Sequence, residues 1–356
     1  MIVDIKKDNL RILVTGGAGF IGGCLVRRLL NISNAIIFNL DKLSYASDLS
    51  WIKTTCNIEN HTLIKADLNN YDETLSAVNK ANPDIIFHLA AESHVDRSIE
   101  NARPFIESNI LGTFNILESA RLHWDKLELD RKERFRFLHV STDEVFGSLG
   151  EEGKFSEGSP YDPRSPYSAS KAASDHICNA WFHTFDFPVI KTNCSNNFGP
   201  FQFPEKLIPL TITNILRGKE IPVYGDGLNI RDWLFVEDHC SAIDVILHKA
   251  KPGSTYCIGG NNELRNIDLI NQICVLIDEY AKKLNIDLTK NKSSDLISFV
   301  DDRLGHDKRY SIKSEKLLNE LNWKPKIKFK DGIKITVKWY LTNFSWWEPI
   351  IKINNH

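Results

Sequence analysis

Five residues of this chain have types and spacings suited to acid–base chemistry: Thr142, Asp143, Glu144, Tyr167 and Lys171. Tyr167 and Lys171 are four residues apart, so on a helix they share one face and the ammonium group lies near the phenol. A nearby ammonium group favours the phenolate, whose ordinary pKa of about 10 is otherwise too high for a base at neutral pH. Asp143 and Glu144 add an acid and a second base. The set is suited to taking a hydroxyl proton during hydride transfer, and also to taking a carbon-bound proton while a leaving hydroxyl group is protonated.

The elements that must hold these residues alternate between strands and helices in the first half of the chain. A helix is predicted at about Phe20–Leu30, and buried strands are predicted at Arg11–Thr15, Ala35–Leu40, Asp84–Leu89, Phe135–Val140 and Pro188–Thr192. This alternation predicts an α/β fold with a Rossmann-type doubly wound parallel sheet, covered by helices on both faces. Beyond residue 195 the elements are shorter, and loops rich in Gly and Pro separate them. We therefore predict a first domain over 1–195 that carries the catalytic residues, and a smaller, mixed substrate-binding domain over 196–356 with some segments crossing back.

Composition narrows the class of protein. The 356 residues are 42% hydrophobic and 25% charged with a formal net charge of −2, which is ordinary for a globular protein and gives no basic face for nucleic acid. No apolar run approaches the roughly 20 residues of a membrane span, and the N-terminal segment lacks the apolar core of a secretory signal. The seven scattered cysteines contain no CxxC pair, which favours buried free thiols in a reducing cytoplasm and argues against a metal site. The charged stretch Asp125–Arg134 is predicted to be a solvated loop.

A glycine motif, Gly16-x-x-Gly19-x-x-Gly22, lies between the first predicted strand and the first helix. Such a turn lets the backbone and the helix N-terminus approach a pyrophosphate, which predicts a dinucleotide cofactor. Asp41 ends the second strand, where a carboxylate hydrogen-bonds ribose hydroxyls and repels a 2′-phosphate, so NAD is preferred to NADP. The neighbouring Lys42 weakens this inference slightly, and an ordinary strand-end role for Asp41 is the alternative. Later strands lead to further candidates for the adenine and nicotinamide ends: Asp67-Leu68 and Leu89-Ala90-Ala91.

The motifs together resemble the extended short-chain dehydrogenase/reductase family, and within it the dTDP-glucose 4,6-dehydratases. The resemblance covers nearly the whole chain, and TDEVFG with FPEKLIPL is far more specific than the glycine turn. The motifs that carry it are LVTGGAGFIG, LDKLSYASDL, HLAAESHVDRSI, STDEVFG, YSASK, CSNNFGPFQFPEKLIPL, GDGLNIRDWLFVEDH, IGGNNE and DRLGHDKRY.

This resemblance implies an NAD-dependent dehydration of dTDP-glucose to dTDP-4-keto-6-deoxyglucose. Tyr167, assisted by Lys171, takes the C4 hydroxyl proton while the C4 hydride passes to NAD⁺, and Thr142 hydrogen-bonds the C4 oxygen. Glu144 takes the C5 proton, Asp143 protonates the departing C6 hydroxyl group, and hydride returns to C6. The alternative for Asp143 and Glu144 is that they only cap the turn after their strand.

The resemblance also implies two sets of binding residues. The cofactor set is Gly16, Gly19, Phe20, Ile21, Gly22, Asp41, Lys42, Ser44, Asp67, Leu68, Leu89, Ala90, Ala91, Ser108, Tyr167 and Lys171. The substrate set is Ser93, Thr142, Asn196, Asn197, Lys206, Leu207, Pro222, Tyr224, Arg231, Asn266 and His306. Arg231 is expected to bind the diphosphate, while a plain surface charge for Lys206 and a structural role for His306 are the alternatives. Two residues depart from the family pattern: Leu304 stands where Pro is usual, and Phe146 replaces the usual Tyr.

Other readings stay open from the sequence. The enzyme alternatives are a 4,6-dehydratase of a UDP-linked sugar and a nucleotide-sugar 4-epimerase, which needs Tyr167 and Lys171 but not Asp143 and Glu144. A non-catalytic member that senses dinucleotides or binds nucleic acid is the alternative from another class. The family implies a homodimer formed by helices near Pro104–His123 and Tyr167–Thr184, although their apolar residues could also pack within one chain.

Overall fold

The computed structural model describes residues 10–354, apart from the side chains of 53, 54, 353 and 354. Residues 1–9, which belong to the segment predicted to lack a secretory signal, lie outside the described part. The strands are β1 Arg11–Thr15, β2 Ile36–Asp41, β3 His61–Lys65, β4 Ile85–His88, β5 Arg136–Thr142, β6 Val189–Cys194, β7 Asn196–Phe198, β8 Ile221–Tyr224, β9 Ile230–Phe235, β10 Thr255–Ile258, β11 Glu263–Arg265 and β12 Ile297–Val300.

The helices connect and cover these strands. They are α1 Phe20–Ile32, α2 Tyr71–Ala81, α3 Val95–Glu100, α4 Arg103–Phe105, α5 Gly112–Trp124, α6 Leu129–Arg134, α7 Pro166–Phe185, α8 Leu207–Leu216, α9 Val236–Lys249, α10 Asn266–Leu284, α11 Glu315–Leu321, α12 Phe329–Thr342 and α13 Phe344–Asn354. A π-helical segment, Ile106–Leu111, joins α4 to α5, and 3₁₀ helices lie at Ser50–Thr54, Ile58–Asn60, Asp143–Phe146 and Ser293–Leu296. Within residues 10–354, no helix has the length and apolar character that crossing a membrane requires.

Seven parallel strands form the central sheet in the order β3-β2-β1-β4-β5-β6-β10. Apolar residues of α1, α9 and α11 bury one face of this sheet, and those of α2, α5 and α7 bury the other. The strand order reverses between β1 and β4, which opens a crevice at the carboxyl ends of the strands. The predicted Rossmann-type doubly wound sheet is therefore confirmed. Strand β10 comes from beyond residue 195 and pairs with β6, while the domain division at that residue stays a prediction.

The smaller part of the fold has its own core. A three-stranded sheet, β11-β9-β7, and the parallel pair β8-β12 carry it. Helices α8, α10 and α12 pack around buried side chains that include Phe198, Ile212, Ile273 and Tyr340. This second core holds the segments after β6 and β8 against the open edge of the crevice.

Two predictions about local structure need correction. The stretch Asp125–Arg134 is not all loop, because Leu129–Arg134 forms α6. Its Arg131 pairs with Asp84 at 2.7 Å, and Trp124 Nε1 donates to the Lys132 carbonyl oxygen at 3.0 Å, so tertiary contacts anchor a short charged helix. All seven cysteines are unpaired and six are buried, but Cys56 is exposed.

Candidate active site

A cavity of about 320 Å³ lies at the carboxyl ends of the central strands. Every residue of the predicted cofactor set lines it, from the glycine turn after β1 to Tyr167 and Lys171 on α7. The backbone of the turn is tightly packed: a Cβ atom at Gly16, whose φ is +71°, would lie 2.7 Å from the Ala90 backbone, and one at Gly22 would lie 2.1 Å from the Gly16 carbonyl oxygen. Helix α1 begins directly after this turn at Phe20, so its free N–H groups face the cavity. The shape and donors fit a dinucleotide pyrophosphate.

Asp41 organises the loop at the other end of this cavity. Its Oδ2 accepts a hydrogen bond from the Ala18 N–H at 3.0 Å, and its Oδ1 accepts from the Leu43 N–H at 2.8 Å and the Ser47 hydroxyl at 3.0 Å. Lys42 is paired with Glu92 at 2.8 Å. Because its charge is already neutralised, Lys42 is a poor partner for a 2′-phosphate, and the arrangement favours NAD.

The five acid–base residues meet where β5 ends and α7 begins. Helix α7 starts with a capping box between Ser165 and Ser168, and this box places Tyr167 in its first turn. The Thr142 hydroxyl donates to Asp143 Oδ1 at 3.4 Å and accepts from the Glu144 N–H at 3.3 Å. Thr142 therefore caps the 3₁₀ turn, and Asp143 and Glu144 are not needed for that role.

The two neighbouring carboxyl groups have different surroundings. Burial raises the pKa of Asp143 well above its ordinary value, and the adjacent Glu144 carboxylate raises it further. Burial also raises the pKa of Glu144 above its ordinary value, although the cationic groups of Arg231 and Lys206 oppose this rise. Glu144 lines the cavity, whereas Asp143 lies beneath it with a buried Oδ2 that has no hydrogen-bond partner among the described residues. The rise is larger for Asp143 than for Glu144, which suits Asp143 to be the acid of the pair and Glu144 to be the base.

Tyr167 and Lys171 share the buried face of α7 as predicted, but the electrostatics differ from the expectation. Burial raises the pKa of Tyr167 well above its ordinary value and the Glu144 carboxylate raises it further, while a hydrogen bond with Thr142 lowers it. Burial lowers the pKa of Lys171, whose Nζ donates to the Val140 carbonyl oxygen at 2.9 Å. The prediction that Lys171 lowers the pKa of Tyr167 is therefore opposite to the net direction, because burial and a nearby carboxylate outweigh the ammonium group.

A second cavity of about 200 Å³ continues from the first. Ser93, Glu144, Asn196, Asn197 and Lys206 line both cavities. Six further residues of the predicted substrate set line the second cavity alone: Leu207, Pro222, Tyr224, Arg231, Asn266 and His306. The remaining member of the set, Thr142, lines the first cavity. Glu144 is therefore at the junction of the two spaces, while Asp143 lines neither of them.

Cationic side chains converge on the second cavity. Arg231 is buried, donates only to the backbone carbonyl oxygens of Ile230, Asp307 and Lys308, and lies 4.3 Å from the centre of the Tyr310 ring. Among the described residues, no carboxylate forms an ion pair with Arg231. Lys206 Nζ donates to the Ser93 carbonyl oxygen at 2.7 Å, so it is not a free surface charge. Cations whose charge is not cancelled by a carboxylate suit a diphosphate.

His306 and two asparagines complete this side of the cavity. His306 Nδ1 lies 2.6 Å from Asp302 Oδ1, which fixes the ring in its loop and keeps a structural role open. Asn196 and Asn266 each have a buried amide oxygen without a hydrogen-bond partner among residues 10–354. Unpaired buried oxygens beside a cavity are suited to accepting hydrogen bonds from ligand hydroxyl or N–H groups.

Sequence reasoning missed three groups around the cavities. Arg303 lines the second cavity and makes a two-point ion pair with Asp96, 207 residues away. Glu205, beside Lys206 in FPEKLIPL, accepts from the Tyr45 hydroxyl at 3.1 Å and pairs with Arg97 at 3.4 Å. Asp175 is buried on α7, one helical turn after Lys171. Helical spacing from Lys171 could have identified Asp175, whereas the ion pairs are set by the tertiary fold.

Neither departure from the family pattern touches the reacting groups. Phe146 is buried against the rings of Phe155 and Tyr161, in an apolar cluster where a hydroxyl group would have to find a partner. Leu304 is exposed at the tip of the loop that carries Arg303 and His306.

Comparisons with known proteins agree with this geometry. A family model described as GDP-mannose 4,6 dehydratase matches residues 13–336. A probable dTDP-glucose 4,6-dehydratase of Sinorhizobium fredii is 54% identical over 96% of this chain and 95% of its own. The dTDP-glucose 4,6-dehydratase of Bacillus anthracis, solved in complex with NAD, has a TM-score of 0.83 and 42% identity over 96% of this chain and 99% of its own. The dTDP-glucose 4,6-dehydratase of Streptomyces venezuelae, solved with NAD and TDP bound, has a TM-score of 0.84 and 39% identity over 96% of this chain and 100% of its own. The chain therefore belongs to the family that the matching model describes, and within it to the dTDP-glucose 4,6-dehydratases.

Proposed function

We propose that the chain catalyses the NAD-dependent dehydration of dTDP-glucose to dTDP-4-keto-6-deoxyglucose. The observation that carries this proposal is the position of Glu144 where the two cavities meet, with Tyr167 lining the first cavity and Asp143 buried next to Glu144 in the chain. A 4-epimerase needs a base for the hydroxyl group but no second acid–base pair. The identity to dTDP-glucose 4,6-dehydratases, and the thymidine nucleotide in the Streptomyces venezuelae complex, support thymidine over another base.

The first half of the reaction uses α7 and the end of β5. The residues of the first cavity would hold NAD, whose chemistry would be to accept a hydride and to give it back. Tyr167 takes the C4 hydroxyl proton, and the Thr142 hydroxyl hydrogen-bonds the same oxygen. Because burial raises the pKa of Tyr167, the phenolate needs positive charge nearby. Lys171, which shares the buried face of α7 with Tyr167, supplies such a charge.

The second half removes water. A keto group at C4 acidifies the C5 proton, which Glu144 accepts while Asp143 gives its proton to the departing C6 hydroxyl group. When hydride has returned to C6, a proton returns to C5. The product lacks one water molecule and the cofactor ends in its starting redox state. Each acid–base role contributes about 10²–10⁴-fold to the rate.

Substrate binding is proposed to follow the second cavity. Arg231 binds the diphosphate with Asn197, Lys206, Asn266 and His306 around it. Leu207, Pro222 and Tyr224 enclose the nucleoside. Ser93 and Asn196 bind the hexose, close to Thr142. A structural role for His306 remains the alternative reading of that residue.

We also propose that the enzyme is a homodimer and is cytoplasmic. Apolar side chains exposed on the continuous helical segment 103–124 and on α7 support the dimer, among them Leu111, Phe114 and Phe185. The unpaired cysteines support a reducing compartment.

The proposed reaction is tested by incubating the purified protein separately with dTDP-glucose, UDP-glucose and GDP-mannose, and weighing the products by mass spectrometry. We expect loss of one water from dTDP-glucose without added NAD⁺. If only UDP-glucose or GDP-mannose loses water, the proposed mechanism stands but the assignment of a thymidine nucleotide is overturned. An unchanged mass with all three, with NAD⁺ supplied, would overturn the dehydratase.

A further inference from the structure

Asp175 is a buried carboxylate that the proposed reaction does not use. It lies on α7 four residues after Lys171 and eight after Tyr167, so the three side chains share one helix face. Its Oδ2 accepts from the Tyr161 hydroxyl at 2.7 Å and from Asn193 Nδ2 at 3.2 Å, and its Oδ1 lies 3.1 Å from His139 Nε2. Both Asp175 and His139 have 0% of their surface exposed. A carboxylate so deeply buried needs a compensating charge.

The groups that face Asp175 and Lys171 identify that charge. The titratable groups around them come from four strands or helices and one loop: His88 on β4, His139 on β5, Lys191 and Cys194 on β6, Cys178 on α7, and Tyr161 before α7. Burial lowers the pKa of both histidines, to about 4 for His139, so they are neutral near pH 7. Burial raises the pKa of Cys178 and Cys194, which stay neutral thiols.

Lys171 and Lys191 are therefore the cations available to Asp175. Burial raises the pKa of Asp175, but its contact with His139 and the charges of Lys171 and Lys191 lower it to about 2, so the group is an anion. The effects on Lys171 have the opposite signs: burial lowers its pKa, and the negative charge of Asp175 raises it. The carboxylate thus opposes the desolvation of the lysine that the proposed mechanism needs in its charged form.

A second connection reaches Thr142. Asn193 Nδ2, which donates to Asp175, also lies 3.1 Å from the Thr142 carbonyl oxygen and donates to it. Asp175 therefore orients the amide that holds the end of β5, where the catalytic threonine sits. Asp175 is thus linked by charge to Lys171 and, through Asn193, to Thr142, the two residues that assist Tyr167 in the proposed mechanism.

We propose that Asp175 is a positioning residue whose negative charge keeps Lys171 an ammonium ion and which fixes Thr142 through Asn193. The assignment rests on the proposed function, because only that function gives Lys171 and Thr142 their roles. Asp175 itself contacts neither cavity.

The test is the pH dependence of kcat/KM for dTDP-glucose in Asp175→Asn. Without the carboxylate charge, Lys171 loses its proton at lower pH, so the alkaline fall in activity moves down by about one pH unit. Asp175→Glu keeps the charge and should restore the wild-type position of that fall. Tyr161→Phe removes a hydrogen bond from the same carboxylate but no charge, and should leave the alkaline fall in place. Lower activity in Asp175→Asn with an unshifted alkaline fall would overturn the proposal.

A second measurement, which needs no substrate, tests the charge pairing even if Asp175→Asn folds poorly. Thermal unfolding is compared for Lys171→Met, Asp175→Asn and the double variant. Each single change removes one of the two charges of the Asp175–Lys171 pair and leaves the other less compensated, so we expect the double variant to lose less Tm than the sum of the two losses. Additive losses would overturn the charge pairing. If the wild-type protein proves inactive on dTDP-glucose, the proposed function fails while this cycle still reports on the pair.

Discussion

At the scale of single residues, Asp143 and Glu144 are neighbours in the chain, but their different surroundings shift their pKa values to different extents. Asp143 is buried beneath the cavity, where the negative charges of Glu144 and Asp232 raise its pKa further and Arg231 opposes them. Glu144 opens into the cavity and is influenced by Arg231 and Lys206. Adjacent residues of nearly the same chemistry are therefore suited to opposite roles, one giving a proton and one taking it.

This division predicts different partial reactions for two isosteric variants. Glu144→Gln should stop the entry of solvent deuterium at C5, because the base is gone. Asp143→Asn should keep that exchange while water loss slows by about 10²-fold or more, because only the acid is gone. Mass spectrometry and NMR of the sugar after incubation in D₂O measure both. Deuterium at C5 in Glu144→Gln, or none in Asp143→Asn, would reverse or remove the assigned roles.

At the scale of elements, the C-terminal helix α13 holds the loop at the Asp41 end of the cofactor cavity. Trp346 Nε1 donates to Asp48 Oδ2 at 2.9 Å, and the Asp48 N–H donates to the Ala18 carbonyl oxygen at 2.7 Å in the glycine turn. Trp346 also packs on Trp339 and Phe201. The far end of the chain is thereby joined to the segment that carries Ser44 and Ser47.

Trp346→Phe should weaken NAD retention, because it removes the hydrogen bond to Asp48 but keeps an aromatic ring. A hydrogen bond to a charged group contributes about 1.5 kcal/mol, so we expect about tenfold weaker binding. The NAD content after dialysis and a titration of the stripped protein measure it. Trp347→Phe is the matched control, since Trp347 Nε1 donates to the Tyr340 carbonyl oxygen instead. Equal NAD retention in the two variants would contradict a role for the Trp346 contact.

At the scale of the whole molecule, one face carries apolar side chains that are only partly covered by the described residues. Leu111, Phe114 and Phe185 have 43%, 40% and 41% of their surface exposed, and all lie on the adjoining helices α4–α5 and α7. Phe114 packs edge-to-face on Trp181 of α7, so the two helices present a joint surface. The back of that surface carries Tyr167 and Lys171, so dimer formation would also stiffen the catalytic helix.

Phe114→Glu should convert the proposed homodimer to a monomer, because a carboxylate would be buried at the centre of the contact. Size-exclusion chromatography with light scattering measures the mass. Leu129→Glu is the matched control: Leu129 is 70% exposed on α6, outside the helices that carry this face, and its change should leave the mass unaltered. A wild-type monomer, or a dimer that persists in Phe114→Glu, would contradict this interface.

Local patterns were sufficient to predict the order of the elements and to select the candidate reacting residues. Alternating apolar strands and helices predicted the parallel sheet, since strands buried on both faces read as continuous apolar runs. The glycine turn after β1 and the four-residue spacing of Tyr167 and Lys171 are properties of adjacent residues, so they survive any tertiary arrangement. The strand ends were displaced by only one or two residues, but α6 was missed because its anchors, Asp84 and Trp124, lie outside its own sequence.

The amino-acid sequence by itself determined which groups could react, and the tertiary structure decided their charge states and supports. Burial reversed the expected pKa direction of Tyr167, and the charge of Arg231, on a strand far along the chain, opposes the rise in the pKa of Glu144. The pair Arg303–Asp96 spans 207 residues and the Trp346–Asp48 contact spans 298. Desolvation and long-range Coulomb interactions depend on what surrounds a group in space. Spacing along a helix or a turn depends only on nearest neighbours, which is why it could be read directly from the chain.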